Sequence, residues 1–194
     1  MKRFDTMTRT IEEIHGKCGE SAFYSYSTSS LFQYRAKNLK WNMNLVTYLG
    51  IVCPILVGIT FTTFGVNSML TFFAVPICGV LGIIQVLICA WGAINNWFDM
   101  YTTACDSVIE NMELYEEYTN LQNNHDLTDA QQKMQVLESR SNRQSCIDGR
   151  MLPSDKEKRY GQRAALLHFR KVCVVCETVP DSMKATACCS CGNF

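Results

Sequence analysis

Residues 41–98 read WNMNLVTYLGIVCPILVGITFTTFGVNSMLTFFAVPICGVLGIIQVLICAWGAINNWF. This run of 58 residues contains no Asp, Glu, Lys or Arg, although the chain has 18 acidic and 18 basic residues in all. A bilayer core about 30 Å thick takes about 20 apolar residues per helical pass. A soluble domain seldom excludes every charge over such a length, whereas two passes fit it. The sequence therefore predicts an all-α membrane protein built on a two-helix transmembrane hairpin.

The hairpin is predicted to contain one span from Leu45 to Phe64 and a second from Leu70 to Ala93. The residues between them, Gly65-Val66-Asn67-Ser68, are of types that form turns. The turn carries no charge, whereas three cations precede the first span: Arg35, Lys37 and Lys40. Because Lys and Arg concentrate on the cytoplasmic side of membrane spans, both termini are expected in the cytoplasm.

Charge divides the chain into four predicted regions. Residues 1–40, a cytosolic N-terminal helical region, hold 7 basic and 4 acidic side chains. The hairpin occupies residues 41–98. Residues 99–152, an acidic cytosolic helical region, hold 4 basic and 10 acidic side chains. Residues 153–194, a basic helix followed by a cysteine-rich tail, hold 7 basic and 4 acidic side chains.

The regions that flank the hairpin predict long cytosolic helical extensions. A short amphipathic stretch covers residues 10–16, a Ser/Tyr-rich linker covers 20–30, and a helix is expected to run from Ser29 or Ser30 into the first span. The second span is expected to continue as a cytosolic helix, because apolar residues recur at heptad spacing. These residues are Ile94, Phe98, Tyr101, Cys105, Val108, Met112 and Tyr115. Their partner is the N-terminal helix, a neighbouring subunit or both, and the acidic face beside them is expected to be solvated.

Two capping boxes predict further helices. The first, over residues 126–131, predicts a helix from Asp129 to Ser141 that is followed by a polar connector. The second, Ser154–Glu157, opens a basic helix that leads to the cysteine-rich tail. Arg159, Arg163 and Arg170 are expected on one face of this helix. With Lys171 they form a candidate phosphate-binding strip, and the alternative is a solvated or acid-paired face.

The C-terminal cysteines have a spacing that is typical of a metal-binding site. They read Cys173-Val-Val-Cys176, then eleven residues, then Cys188-Cys189-Ser-Cys191-Gly192. Two CxxC pairs supply four thiolates for a tetrahedral zinc ion, and Gly often follows the last cysteine of such a knuckle. The predicted ligands are Cys173, Cys176, Cys188 and Cys191, with Cys189 spare. A site closed by four thiolates is structural; unpaired cysteines, redox chemistry or an iron–sulfur cluster are the alternatives.

Polar residues within and next to the second span are the candidate pore lining. Gln85 lies near mid-depth, and Cys89 and Gly92 follow it at spacings of 4 and 3. Asn95 and Asn96 lie at the cytosolic mouth. In an oligomer these residues are predicted to line a narrow uncharged pore, and the alternative for Gln85 is an interhelical hydrogen bond.

No enzyme constellation is found in the sequence. The histidines are scattered, at positions 15, 125 and 168, and the chain has no Gly-rich phosphate loop or GxSxG motif. We therefore expect a protein that is not an enzyme. Two spans are also too few to enclose a solute path, so a conducting protein must be an oligomer.

The layout of basic helix, two-span hairpin, cytosolic helix and tail with CVVC, eleven residues and CCSC resembles the SLATT superfamily of two-transmembrane effectors. The named group that it resembles is the bacterial mobilome CxxCx(11)CxxC protein. The layout covers residues 29 to about 145 and is general, whereas the cysteine spacing over residues 173–191 is distinctive.

This resemblance implies a homo-oligomeric pore in the bacterial inner membrane that acts in anti-phage defence. It further implies gating through the cytosolic region by a partner protein, or by a nucleotide or single-stranded DNA ligand made by a partner nucleotidyltransferase. If the ligand is a nucleic acid, the expected binding residues are Arg159, Arg163, Arg170 and Lys171, because phosphate binding requires fixed cationic donors. The alternatives are a non-conducting membrane anchor that presents a zinc ribbon to partner proteins, and a membrane thiol oxidoreductase.

Overall fold

The computed structural model describes residues 2–64, 69–123 and 127–194. It contains five helices in the described part of the chain, with no strand there: α1 (Lys2–Phe64), α2 (Met69–Ile94), α3 (Trp97–Gln122), α4 (Leu127–Arg150) and α5 (Asp155–His168). The predicted all-α fold is confirmed. The predicted turn over residues 65–68 lies outside the described residues.

The chain divides into two compact units. Lys37–Thr102 form the hairpin unit, and the residues up to Ala36 and from Thr103 onward form the helical unit. The predicted N-terminal, acidic and basic regions therefore contribute to one unit. Helix α1 contributes to both.

The hairpin unit presents large apolar side chains outward. Helix α1 and helix α2 each contain a stretch that is long and apolar enough to cross a membrane. Their exposed side chains include Ile55, Ile59, Phe72, Ile83 and Leu87. Exposure of so many large apolar groups is unfavourable in water and favourable in hydrocarbon. Pro54 and Pro76 lie inside these helices, where Pro is tolerated in membrane spans.

The predicted Ser/Tyr-rich linker is wrong, because residues 20–30 belong to α1. Its small residues form the packing seam of the helix. Buried positions recur at spacings of 4, 3, 4, 3 and 4: Cys18, Ala22, Ser25, Ser29, Phe32 and Ala36. The Ser29 hydroxyl donates to the Val108 carbonyl oxygen at 3.2 Å. The serines that suggested a loop thus allow a close helix–helix contact.

Helices α1, α3 and α4 share a core in the helical unit. Nine buried side chains form it, three from each helix: Ile14, Cys18, Ala22, Leu114, Tyr118, Leu121, Ala130, Met134 and Leu137. Between α3 and α4, the buried Asp148 carboxylate accepts from the side-chain amides of Asn111 and Gln144, each at 2.8 Å. Arg140 contacts three of the predicted solvated acids, Glu110, Glu113 and Glu117.

The predicted continuous helix from the second span into the cytosol is wrong. Helix α2 ends at Ile94 and α3 begins at Trp97, with Asn96 at φ 49° between them. Of the predicted heptad residues, Tyr115 packs against the intrachain core, but none of the seven is among its buried members. The buried face of α3 is instead Ala104, Ser107, Asn111, Leu114, Tyr118 and Leu121. Because Ser107 and Asn111 on this face are polar, the face is not detected by a search for apolar residues at heptad spacing. Phe98 and Met112 of the predicted seam are exposed.

The observed ends of α4 and α5 differ from the predicted ends. Helix α4 runs to Arg150, so the predicted connector after Ser141 is mostly helical. The capping box at Ser154 and Glu157 is confirmed. Helix α5 ends at His168, so Arg170 lies beyond it and the predicted arginine face is not continuous.

Gly161 allows α5 to pack on α1. A Cβ at this position would lie less than 3.0 Å from the Ser27 carbonyl oxygen, and a backbone atom cannot move aside. We therefore expect Gly161→Ala to destabilise the protein by about 1–3 kcal/mol through overpacking. Gly149→Ala in α4 is the matched control, because a Cβ there meets nothing within 4 Å. This substitution should stabilise the protein by about 0.5–1 kcal/mol, since alanine favours a helix more than glycine does. Thermal unfolding of both variants measures the effect, and equal shifts would contradict the α1–α5 contact.

Candidate metal centre

The two CxxC pairs meet at one point after α5. The Sγ atoms of Cys173, Cys176, Cys188 and Cys191 all lie within 4.8 Å of one another. Those of Cys176 and Cys191 are 3.7 Å apart. Zinc–sulfur bonds of about 2.3 Å in a tetrahedron place the sulfurs roughly 3.8 Å apart. The four predicted ligands are therefore positioned to bind a metal ion, and Cys189 is exposed outside the cluster.

The two pairs form similar turns. The backbone N–H of Glu177 donates to the Cys173 carbonyl oxygen at 2.8 Å, and that of Gly192 donates to Cys188 at 3.0 Å. Glu177 takes up a left-handed conformation at φ 53°. Gly192 is needed for a different reason, because a Cβ there would lie less than 3.0 Å from the backbone of Thr186. Each turn thus presents two sulfurs on one side.

The family model of the mobilome CxxCx(11)CxxC protein matches residues 15–194. The chain belongs to this family. No curated protein and no solved structure matches the chain. The match includes α3, α4 and α5 as well as the cysteines, so membership in the mobilome CxxCx(11)CxxC family does not depend on the tail alone.

Local hydrogen bonds favour thiolates at two of the family cysteines. The hydroxyl and the backbone of Thr178 lower the pKa of the Cys176 thiol to about 6. The backbone of Cys191 and Ser190 lowers the pKa of Cys188. Burial, and then the neighbouring thiols, raise the pKa of Cys191. Thiolates are the metal-binding form of cysteine, and a cation bound between the four sulfurs would offset the effect of burial on Cys191.

The cluster is packed against two helices. Cys173 and Cys191 are 1% exposed and share a core with Phe23 of α1 and with Ala165 and Leu166 of α5. The cysteine cluster therefore joins the C-terminal tail to both helices.

Arg163 is a part of this site that the sequence did not assign to it. Its guanidinium donates to the carbonyl oxygens of Ser182 at 2.7 Å and Cys191 at 3.3 Å, and to the Thr186 hydroxyl at 3.4 Å. Arg163 is 4% exposed. The prediction that it forms part of an exposed phosphate strip is therefore wrong, because its donors are used inside the protein.

The other members of the predicted strip have different surroundings. Arg159 donates to the Asn193 carbonyl oxygen at 3.0 Å. Arg170 is exposed and has φ 53°. The Lys171 ammonium lies 5.1 Å from the Phe23 ring centroid and 5.8 Å from that of Phe169. A ligand-binding role for these three residues stays a prediction.

The predicted pore residues lie close to their own chain. A Cβ at Gly50 would lie within 3.0 Å of the Gln85 amide nitrogen, so Gln85 packs against the first span. Gly92 is buried beneath the Trp97 ring, and the Asn95 amide donates to Trp91 at 2.8 Å. Cys89 and Asn96 are exposed. A pore-lining role for these residues stays a prediction, and contact between the spans is the immediate role of Gln85.

Proposed function

We propose that this protein is a homo-oligomeric membrane pore that acts as an effector of bacterial anti-phage defence. It lies in the inner membrane with both termini cytoplasmic, and it is not an enzyme. The observation that carries this proposal is a face of the first span that the described residues of its own chain leave uncovered. Residues without a long side chain follow this face at helical spacing: Pro54, Gly58 and Thr62.

This face, the Pro54–Thr62 stripe, is suited to contact another helix. All three residues are exposed, and a Cβ at Gly58 would meet nothing within 4 Å among the described residues. In lipid, apolar burial does not drive helices together, and association depends on small residues that allow close approach. The Thr62 hydroxyl is satisfied by the Gly58 carbonyl oxygen at 3.0 Å. Copies of the chain that pack through this stripe would bring their uncharged Thr62 hydroxyl groups together around a shared axis.

We propose structural zinc as the metal of the cysteine cluster. Four thiolates and a tetrahedral spacing suit zinc, and no coordination position is left for a substrate. When bound, zinc supplies a link between the two knuckles. Contacts of the chain itself, from Phe23, Leu166 and Arg163, hold the tail against α1 and α5.

Gating would reach the membrane through α1. This helix is continuous from the buried seam of the helical unit into the first span. The second span, in contrast, is separated from α3 by a break at Asn95 and Asn96. The signal is a nucleotide or oligonucleotide made by a partner nucleotidyltransferase, or a partner protein. Arg170 and Lys171 are exposed cations that suit a phosphate-bearing ligand.

Conductance of the purified protein in planar bilayers tests the pore. We expect discrete openings that Gly58→Leu removes, because a leucine side chain would separate the stripe from its neighbour. Gly79→Leu is the matched control. Gly79 is also an exposed glycine with open space around it, but its helical neighbours Ile83 and Val86 are large and exposed. Openings in wild type and Gly79→Leu but not in Gly58→Leu would support the proposal, and equal conductance in both variants would overturn the role of the stripe.

A non-conducting anchor is the second candidate, and the first knuckle supplies an observation in its favour. Val172, Val174 and Val175 are 55%, 93% and 56% exposed. Exposed apolar groups next to a metal knuckle suit a protein contact. Silence of the wild-type protein in bilayers, together with a cytosolic partner whose capture is lost in Val174→Asp, would favour this function.

A further inference from the structure

A cavity of about 360 Å³ lies in the hairpin unit, at the end of the spans that joins the charged segments. Its walls are formed by Met43 and Val46 of α1, by Ile88 and Gly92 of α2, and by Trp97 and Phe98 at the start of α3. Most of this lining is apolar. A cavity of this size and polarity can hold part of a hydrocarbon chain.

The break between α2 and α3 forms one wall of the cavity. The left-handed conformation of Asn96 turns the chain so that Trp97 lies over Gly92. A Cβ at position 92 would be 2.9 Å from the Trp97 ring. The glycine therefore allows the indole to lie against α2, and the ring is part of the wall.

Two basic residues precede the cavity-lining part of α1. Lys40 precedes Met43 by three residues and Thr47 by seven, so these residues share one face of the helix. Lys37 lies one turn further away, and both lysines are exposed. Asp99 also borders the cavity. A phosphate beside Lys40 and a hydroxyl donor beside Asp99 would match these charges.

We propose that this cavity binds one anionic phospholipid whose headgroup carries hydroxyl groups. An acyl chain enters between Met43, Ile88 and Trp97, the phosphate lies at Lys40, and headgroup hydroxyls donate to Asp99. The apolar spans around the cavity face hydrocarbon, so a membrane lipid is the molecule that reaches it. The lipid site rests on the proposed membrane location of the hairpin and not on conduction. The lipid site and the pore function can therefore be contradicted independently of each other.

Lipid retention by the full-length protein tests this site. The protein is extracted into detergent, incubated with phosphatidylglycerol, phosphatidic acid or phosphatidylcholine, exchanged into lipid-free detergent and analysed by native mass spectrometry. We expect wild type to retain phosphatidylglycerol in preference to the other two lipids. Ile88→Trp, which fills the cavity, should abolish retention. Leu87→Trp is the matched control, because Leu87 is 64% exposed and does not line the cavity.

The headgroup contact is tested by Lys40→Gln. Loss of one cation beside a lipid phosphate is expected to weaken phosphatidylglycerol retention about fivefold, whereas Lys17→Gln in the helical unit should leave it unchanged. Equal retention by Ile88→Trp and Leu87→Trp would overturn the cavity as a lipid site. Equal retention by Lys40→Gln and Lys17→Gln, or of all three lipids by wild type, would overturn the assigned headgroup. Circular dichroism of each variant verifies that it is folded.

Discussion

Replacement of Cys173 and Cys176 by serine is expected to remove the bound metal and to release the C-terminal tail. Serine hydroxyls stay protonated and neutral at pH 7, so the first knuckle would offer no thiolates. Structural zinc sites have apparent binding free energies of about 10–16 kcal/mol. Native domains are stable by only about 5–15 kcal/mol. The loss is therefore comparable to the whole stability of the helical unit.

Loss of the metal is expected to affect first the contacts of the tail with α1 and α5. Cys173 and Cys191 are buried with Phe23, Ala165 and Leu166, so release of the tail exposes apolar surface on α1 and α5. The α1–α3–α4 core contains none of the clustered cysteines. We expect rapid proteolysis after α5 first, and a fall in the unfolding temperature of the whole unit with it.

Metal analysis and limited proteolysis measure the result. Wild type should contain about one zinc ion per chain, the closed four-thiolate stoichiometry, and the double variant none. Cys189→Ser is the matched control, because Cys189 is exposed outside the cluster and should keep both metal and protease resistance. A double variant with unchanged metal content and unchanged proteolysis would show that the cluster has no structural metal. A metal other than zinc would keep the site and change only the ion.

The parts of the fold that the sequence predicted are those with strong local signals. The spans followed from the absence of charge over residues 41–98, and α5 followed from its capping box at Ser154 and Glu157. The clustering of Cys173, Cys176, Cys188 and Cys191 followed from spacing alone, because two CxxC pairs restrict which thiols can meet. Each of these signals is local in the chain, so it does not require knowledge of tertiary contacts.

The incorrect predictions share a different cause. Ser25 and Ser29 lie in the predicted linker, but they are buried in the seam where α1 meets other helices. Ser107 and Asn111 belong to the core face of α3, where the Asn111 amide donates to Asp148. Small and polar residues reach such positions when a partner helix satisfies them. That partner lies up to 79 residues away in the Ser29–Val108 pair, so local periodicity does not reveal it.

Arg163 is the position where this difference matters most for function. On the sequence it is one of three arginines on a basic strip, whereas in the structure it is buried and donates to the CxxC turn at Cys191. A buried guanidinium needs a compensating charge or a full set of acceptors. Its contacts here are two carbonyl oxygens and a hydroxyl, and one of the carbonyls belongs to the ligand Cys191. A divalent ion held by four thiolates leaves net negative charge close by, which would supply the compensation.

Arg163→Leu is therefore expected to destabilise the protein and to weaken its hold on the metal. The buried Cys191 carbonyl oxygen left without a donor costs about 1–3 kcal/mol, and loss of each partly buried hydrogen bond, to Ser182 and to Thr186, adds about 0.5–1.5 kcal/mol, so the total loss is about 2–6 kcal/mol. Arg159→Leu is the matched control. Arg159 makes one exposed hydrogen bond to Asn193, which is expected to be worth less than about 1 kcal/mol. Denaturant unfolding and the rate of metal loss to a chelator measure the two variants.

The pair of variants also separates a structural arginine from a ligand-binding one. If Arg163 acts through the knuckles, Arg163→Leu loses its metal to the chelator faster than wild type even with no nucleotide present, because the Cys191 turn has lost its donor. Were both variants as stable as wild type, with only nucleotide binding impaired, the buried position of Arg163 would be contradicted and the phosphate strip restored. Arg163→Lys should recover part of the stability, since its ammonium can reach fewer of the three acceptors than the planar guanidinium.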